Sequence, residues 1–317
     1  MSIQTFLDVA LAMLVIGVAV WTIVARDLFV AVVAYAVYGL FLALVWIRMY
    51  APDVALTEAA VGGGVTGVLL VAAGKRLDIS AIDIDRQKPS MALATLAAGC
   101  SILVAGALAV VILSLPDPAP TLAPQAVAAA SGPGAGLGNP ITAVLMSYRS
   151  FDTMLEKVVL ILAVVGVWSV GADQAWGAAP APFGPDRPYD ALVFLAKALA
   201  PVGAIIGFHI FWTGADAPGG AFQGGALLAA MWMVALMGRL IELPRIDARW
   251  LRLALVAGPA VFLAVGIAGA MLAGSFFAYP SAFAKPLILS IEAFMVLSIA
   301  VALTMLVAGP PYRKGAP

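Results

Sequence analysis

Arg149, Asp152, Glu156 and Lys157 stand in YRSFDTMLEKVVLIL (148–162), where a charged cluster runs directly into hydrocarbon-like residues. An ionisable side chain inside a membrane helix is costly, and it marks a proton relay, an ion path or a buried pair. Asp152 and Glu156 are four residues apart and share one helix face. Glu156 and Lys157 are neighbours and point about 100° apart on a helix. Each is therefore expected to find its partner on another helix, on another subunit or in water. Arg149 and Asp152 lie at the mouth of the segment, where a snorkelled arginine and an interfacial cap account for them.

Three further stretches carry chemistry-bearing residues. In YAPDVALTEAAVGGGVTG (50–67), Asp53 sits where a helix cap belongs, and Glu58 falls about one turn inside a span. Gly62, Gly63, Gly64 and Gly67 behind it allow close helix packing, or a local break in the helix. In 190–230, Lys197 lies about two turns inside a span, where it can snorkel, and His209 is the single histidine. A lone histidine near a helix end reads first as a hydrogen-bonded structural residue. Pro218, Gly219 and Gly220 mark a tight, glycine-bent connection in TGADAPGGAFQGG, which lacks the Lys-Ser/Thr of a P-loop. Finally, Glu292 interrupts the otherwise apolar KPLILSIEAFMVLSIAVAL (285–303).

The elements that position these residues are membrane helices. Of 317 residues, 63% are hydrophobic and only 11% charged, where a soluble domain carries about 25% charge. Nine stretches are long and apolar enough to span, at roughly 5–25, 28–47, 54–74, 91–113, 151–171, 190–212, 221–238, 253–273 and 286–308. They are continuous rather than alternating, which excludes barrel strands. The expected fold is an all-α integral membrane protein of about nine transmembrane helices. Its first span follows no basic leader and carries Asp8, so it reads as retained.

Basic residues orient the bundle. With nine spans, twelve of the 17 Lys and Arg residues fall on one face. Arg48, Arg149 and Lys285 fall on the other, and Lys157 and Lys197 lie inside spans. The positive-inside rule then puts the N-terminus outside and the C-terminus in the cytoplasm. In this topology Glu58, Glu156 and Glu292 all lie in the outer half, an arrangement expected of a hydrated polar layer between helices. The polar segment 75–89 and the Pro/Gly/Ala-rich segments 114–140 and 171–190 divide the spans into groups of three, two and four.

Charge balance, with 17 acidic and 17 basic residues, points to no nucleic-acid partner. One Cys and one His build neither a disulfide framework nor a metal site. No cofactor motif and no nucleophile constellation occurs, so no bond-breaking chemistry is expected of the chain.

At these residues the chain resembles the small subunits of Mrp-type multisubunit cation/proton antiporters, which are shared with membrane-bound hydrogenases and related to the complex I membrane arm. Residues 1–80 resemble the three-helix unit found as a small hydrogenase subunit or in the C-terminal part of the large antiporter A subunit, through DVALTEAAVGGG (53–64). Residues 90–172 resemble the following two-helix unit. There YRSFDTMLE fits the pattern aromatic, Arg, one residue, Phe, Asp, Thr, two residues, Glu. Residues 188–310 resemble the four-helix B subunit, through TGADAPGGAFQGG and the acidic Glu292. Here the chain departs from the family, with Gly214, Ala215 and Asp216 where Gly-His-Asn is usual, and Ala221 in place of a third glycine. His209 does not take the place of that family histidine, and Lys157 replaces an apolar residue.

The resemblance implies an accessory subunit, without cofactors, of a complex in the cell's inner membrane that exchanges protons for sodium or another cation. Its implied partners are large antiporter-like subunits, other small membrane subunits and the bilayer. The residues assigned to an ion or proton path are Glu58, Glu156, Lys157 and Glu292, with Asp152 and Lys197. Asp53, Arg149, His209, Pro218, Gly219 and Gly220 are assigned structural or interfacial roles. Two alternatives remain open: a redox-driven pump with redox partner subunits, and a scaffold that moves no ions. A self-sufficient carrier is disfavoured, because no inverted repeat is visible.

Overall fold

The computed structural model describes residues 2–76, 90–116, 124–125, 128, 136–182, 187–280 and 282–313. Most of the polar segment 75–89 and much of the 114–140 connection therefore lie outside the described residues. The chain divides into two compact units, one of residues 75–129 and the other of residues 1–74 with 130–317. In the smaller unit, helix α5 (Met91–Ser114) starts where the Ser90 side chain accepts the Leu93 N–H, and none of its residues is buried.

The larger unit opens with an antiparallel pair, α1 (Ile3–Val24) and α2 (Leu28–Arg48). The Ser2 and Asp27 side chains cap their N-termini by accepting from Thr5 N and Val30 N. Arg48 at the end of α2 pairs with Asp8 of α1 at 2.8 Å, tying the open ends of the hairpin together. Next come α3 (Pro52–Glu58), a π-helical stretch Ala59–Val65 and α4 (Thr66–Arg76). The glycines at 62–64 serve both purposes the sequence left open. A side chain at Gly39 of α2 would meet the backbone of Gly62 and Gly63 at 2.6 Å, so packing requires a glycine there. The helix also widens to π geometry over the same residues.

The Pro/Gly-rich connection ends at Asn139 and helix begins at Pro140, ahead of the span expected from 151. Asn139 caps a short helix, α6 (Pro140–Ala143), with Pro140 at its first position. A second π stretch, Val144–Tyr148, leads to a break at Arg149 before α7 (Ser150–Ser169). The last four helices are α8 (Asp190–Thr213), α9 (Ala221–Met237), α10 (Arg249–Ala273) and α11 (Ala284–Ala308).

The α11 helix is the hub. Ile288, Ile291, Met295, Ile299, Val301 and Met305 along it are at most 2% exposed. They pack with Phe211, Met233 and Phe262 in one cluster, and with Val164, Trp168 and Leu251 in another. Segment 171–190, expected as an irregular connection, is partly tied down. Ala178 C=O accepts from Ile246 N at 3.1 Å, and Ala179 C=O accepts from Tyr312 N at 3.0 Å.

The protein is all-helical among its described residues, with no strand and a single isolated bridge between Pro180 and Pro311. Seven helices in that set are long and apolar enough to cross a membrane. The other two expected spans, 151–171 and 221–238, are also helices but miss that standard for physical reasons. The first carries Asp152, Glu156 and Lys157 in its opening turns, and the second is only 17 residues long.

Candidate functional site

A cavity of about 640 Å³ lies within the larger unit and brings together residues far apart in the chain. Its lining includes Glu58, Glu156, Lys157 and Glu292, along with Gly219 and Gly220. Three carboxyl groups and one ammonium thus line a single half-open cavity. Among the described residues no three acidic, imidazole or thiol groups converge as a metal cage requires. The carboxyls line the cavity rather than cluster at one point.

Each charged group is held differently. Glu58 is half-buried at the start of the π stretch and folds back over Gly62, where a Cβ would collide with its Oε1. Glu292 is 4% exposed and accepts from the Ala221 N–H at the start of α9, while its Oε2 has no partner. The N-terminal end of a helix dipole favours a negative charge at that place.

Lys157 is 3% exposed and lies 4.7 Å from the Phe222 ring centroid. Its Nζ also reaches Glu156 Oε2 at 3.6 Å, so the two neighbours meet after all. Four methylenes let the lysine bend across the angle between adjacent positions, which the reading from helix geometry did not allow for. Glu156 remains 58% exposed at the open side of the cavity.

Asp53 closes the site from one end. It is 7% exposed, and Ala51, not Asp53, is the N-cap of α3. Its Oδ1 accepts from Asn139 Nδ2 at 3.1 Å and from Gly219 N at 3.0 Å. Asn139 also donates to the Gly214 and Ala217 carbonyls, at 3.1 and 3.0 Å. Gln223 Nε2 reaches Thr57 Oγ1 at 3.0 Å. Gly219 and Gly220 have φ of +148° and +135°, a conformation that turns the Gly219 N–H to Asp53, the Gly220 N–H to the Ile210 carbonyl and the following Ala221 N–H to Glu292. Beside this bracket, Lys285 Nζ pairs with Asp216 at 2.7 Å. That contact holds the Asp216 carboxyl below its ordinary pKa.

Asn139, Gln223 and Phe222 carry these contacts without having been singled out from the sequence, where Asp216 stood only as a departure from the family pattern. For Asn139 a signal existed, because Asn followed by Pro is a helix-start pair. Two residues assigned to the path do not line the cavity. Asp152 pairs with Arg149 at 2.7 Å on an exposed surface, and it is not a cap, since Arg149 holds that position. Lys197 lies on the exposed side of α8. His209 and Pro218 are likewise exposed, the former accepting a bond from Thr213 Oγ1 through its carbonyl.

Residues 8–78 match the MbhD family model, which describes the D component of MBH. Residues 191–310 match the domain related to the MnhB subunit of Na+/H+ antiporter. The chain joins an MbhD domain to an MnhB-type domain. Glu58 and Asp53 thus belong to the MbhD domain, and Gly219, Gly220 and Glu292 to the MnhB-type domain. Glu156 and Lys157 lie between the two matched regions.

The fold of the chain is similar to part of the Mrp complex from a Dietzia species. The TM-score is 0.72 at 20% identity, covering 97% of this chain and 35% of that one. It is also similar to the membrane-bound sulfane sulfur reductase, an archaeal respiratory membrane complex. There the TM-score is 0.56 at 23% identity, covering 68% of this chain and 97% of that one. An uncharacterized protein of Methanocaldococcus jannaschii is 27% identical over 161 residues, covering 43% of this chain and 58% of the relative. The chain therefore spans well under two thirds of the Mrp chain and of the curated relative. Its apolar helices, with two regions that match Mrp- and Mbh-type subunit domains, make it a multi-pass membrane protein.

Proposed function

We propose that this chain is an accessory subunit of a multisubunit cation/proton antiporter in the cell's inner membrane, and that its cavity forms part of a proton or cation path. The observation that carries this reading is the convergence of Glu58, Glu156, Lys157 and Glu292 on one cavity. Ionisable groups inside a membrane protein persist where they face water or one another. Three carboxyls against one ammonium leave the space acidic, as a path for a cation or proton needs. Sodium is the cation the MnhB-type family name favours. In this reading the N-terminus is outside and the C-terminus in the cytoplasm, and the spans follow one another along the sequence in groups of three, two and four.

Glu156 carries the most exposed carboxyl on the cavity and pairs with its lysine only at 3.6 Å, longer than a hydrogen bond. In membranes holding the assembled complex, Glu156→Gln is expected to abolish cation-dependent proton flux while subunit recovery stays unchanged. Full flux from an assembled Glu156→Gln complex would remove the path role. The second reading is a redox-driven pump, which the MbhD match of residues 8–78 favours. Purification from the native host separates the two, since iron–sulfur or hydrogenase-like subunits accompany only the pump.

A further inference from the structure

Lys197 is an intramembrane cation that the cavity does not use. It lies seven residues into α8 (Asp190–Thr213), which puts it about 10 Å along the axis at 1.5 Å per residue. Among the described residues its side chain makes no hydrogen bond and no ion pair. Its helix face also carries Phe194, Pro201, Ile205 and Phe208, all exposed, with Phe194 and Ile205 at 70%. The buried residues Ala196, Gly203, Gly207 and Phe211 occupy the other side, toward α9.

Pro201 adds a second polar group at the same level. Proline has no N–H, so the Lys197 carbonyl four residues earlier lacks its usual helix donor. Lys197 thus presents an ammonium on an outward apolar face, and its own carbonyl lacks the ordinary i+4 donor. Lipid tails offer the ammonium no partner, so it is relieved either by snorkelling to the interface or by an acidic group on a neighbouring helix.

We infer that this face of α8 is the docking surface for a membrane helix of a separate subunit, and that the helix carries an Asp or Glu opposite Lys197. The carboxylate meets the ammonium, and a hydroxyl or amide on the same helix meets the opened carbonyl. Phe194, Ile205 and Phe208 supply the apolar contact above and below. The inference rests on the reading of the chain as a subunit of a larger assembly, but not on any transport role of the cavity.

The test uses the intact complex purified from native membranes in mild detergent. With a benzophenone amino acid at Ile205 and Lys197 unchanged, irradiation is expected to cross-link a separate subunit through a helix bearing a carboxylate. Lys197→Glu and Lys197→Met are expected to cut recovery of that same subunit at least tenfold, while Lys197→Arg retains it. A cross-link only to lipid, to a second copy of this chain, or to a helix without a carboxylate overturns the inference. So does full recovery of every subunit with Lys197→Glu, which would make Lys197 a snorkelled surface lysine. Glu156→Gln serves as the control: loss of flux with intact cross-linking upholds the path and the docking surface separately. If no other subunit accompanies the chain at all, the assembly reading fails with it.

Discussion

Gly219 N–H donates to Asp53 Oδ1 at 3.0 Å across 166 residues of chain. With Asn139 donating to the same oxygen, this contact joins the start of α3, the start of α6 and the loop before α9. All three segments border the cavity, so one buried carboxylate determines how its closed end is built. Asp53→Ala leaves the buried Gly219 N–H without its acceptor, while the two Asn139 hydrogens keep the Gly214 and Ala217 carbonyls, at a cost of about 1–3 kcal/mol. A lower melting temperature in detergent is expected, with Asp53→Asn falling between the variant and the parent. Equal melting of all three would mean that the bracket contributes nothing.

Lys157 and Phe222 should behave as a coupled pair. A desolvated cation over an aromatic face contributes roughly 0.5–2 kcal/mol. Phe222→Leu keeps an apolar side chain and removes the ring face, so it is expected to destabilise the parent by about that amount. In a Lys157→Met background the same change should cost measurably less. Additive effects in the double-mutant cycle would show that the 4.7 Å contact carries no energy.

The Lys285–Asp216 pair predicts a pH dependence with a definite sign. Lys285 lowers the Asp216 pKa from its ordinary 3.8. A carboxyl with a depressed folded-state pKa contributes stability that is fully present above the unfolded value and is lost as pH falls through the folded one. Lys285→Met should therefore lower the melting temperature near neutral pH, and only slightly, because water reaches both side chains and screens the pair. The difference between variant and parent should shrink below about pH 3.8 and not above it. A gap that stays constant across that window would assign the effect to lost packing of the lysine stem.

Water access to the cavity can be read with a single thiol. Cys100 is the one cysteine of the chain, so Cys100→Ser gives a silent background. Leu145 lines the cavity beside Met146. In that background Leu145→Cys is expected to react with a small membrane-impermeant thiol reagent applied outside intact cells. Reaction only from the cytoplasmic side would invert the proposed topology, and no reaction from either side would make the cavity dry.

The helical class and the residues at stake were legible in the sequence, because both follow from composition along one dimension. A run of about 20 apolar residues must be helical in a bilayer to satisfy its own backbone. A Glu or Lys inside such a run stands out against its neighbours, which is how Glu58, Glu156, Lys157 and Glu292 were found. Their meeting on one cavity depends on tertiary packing. Helices that are apolar on every side carry no stripe to say which face turns inward, or that α11 is the enclosed one and α1 the exposed one. The same limit separates Lys157 from Lys197. Both are lysines in apolar helices, yet only packing gave one an aromatic ring and a carboxylate and left the other facing outward. The Asp53 bracket was hidden for a related reason. Its partners are an asparagine and a backbone N–H, ordinary at any loop position, and only the folded chain brings them within hydrogen-bonding distance of a buried charge.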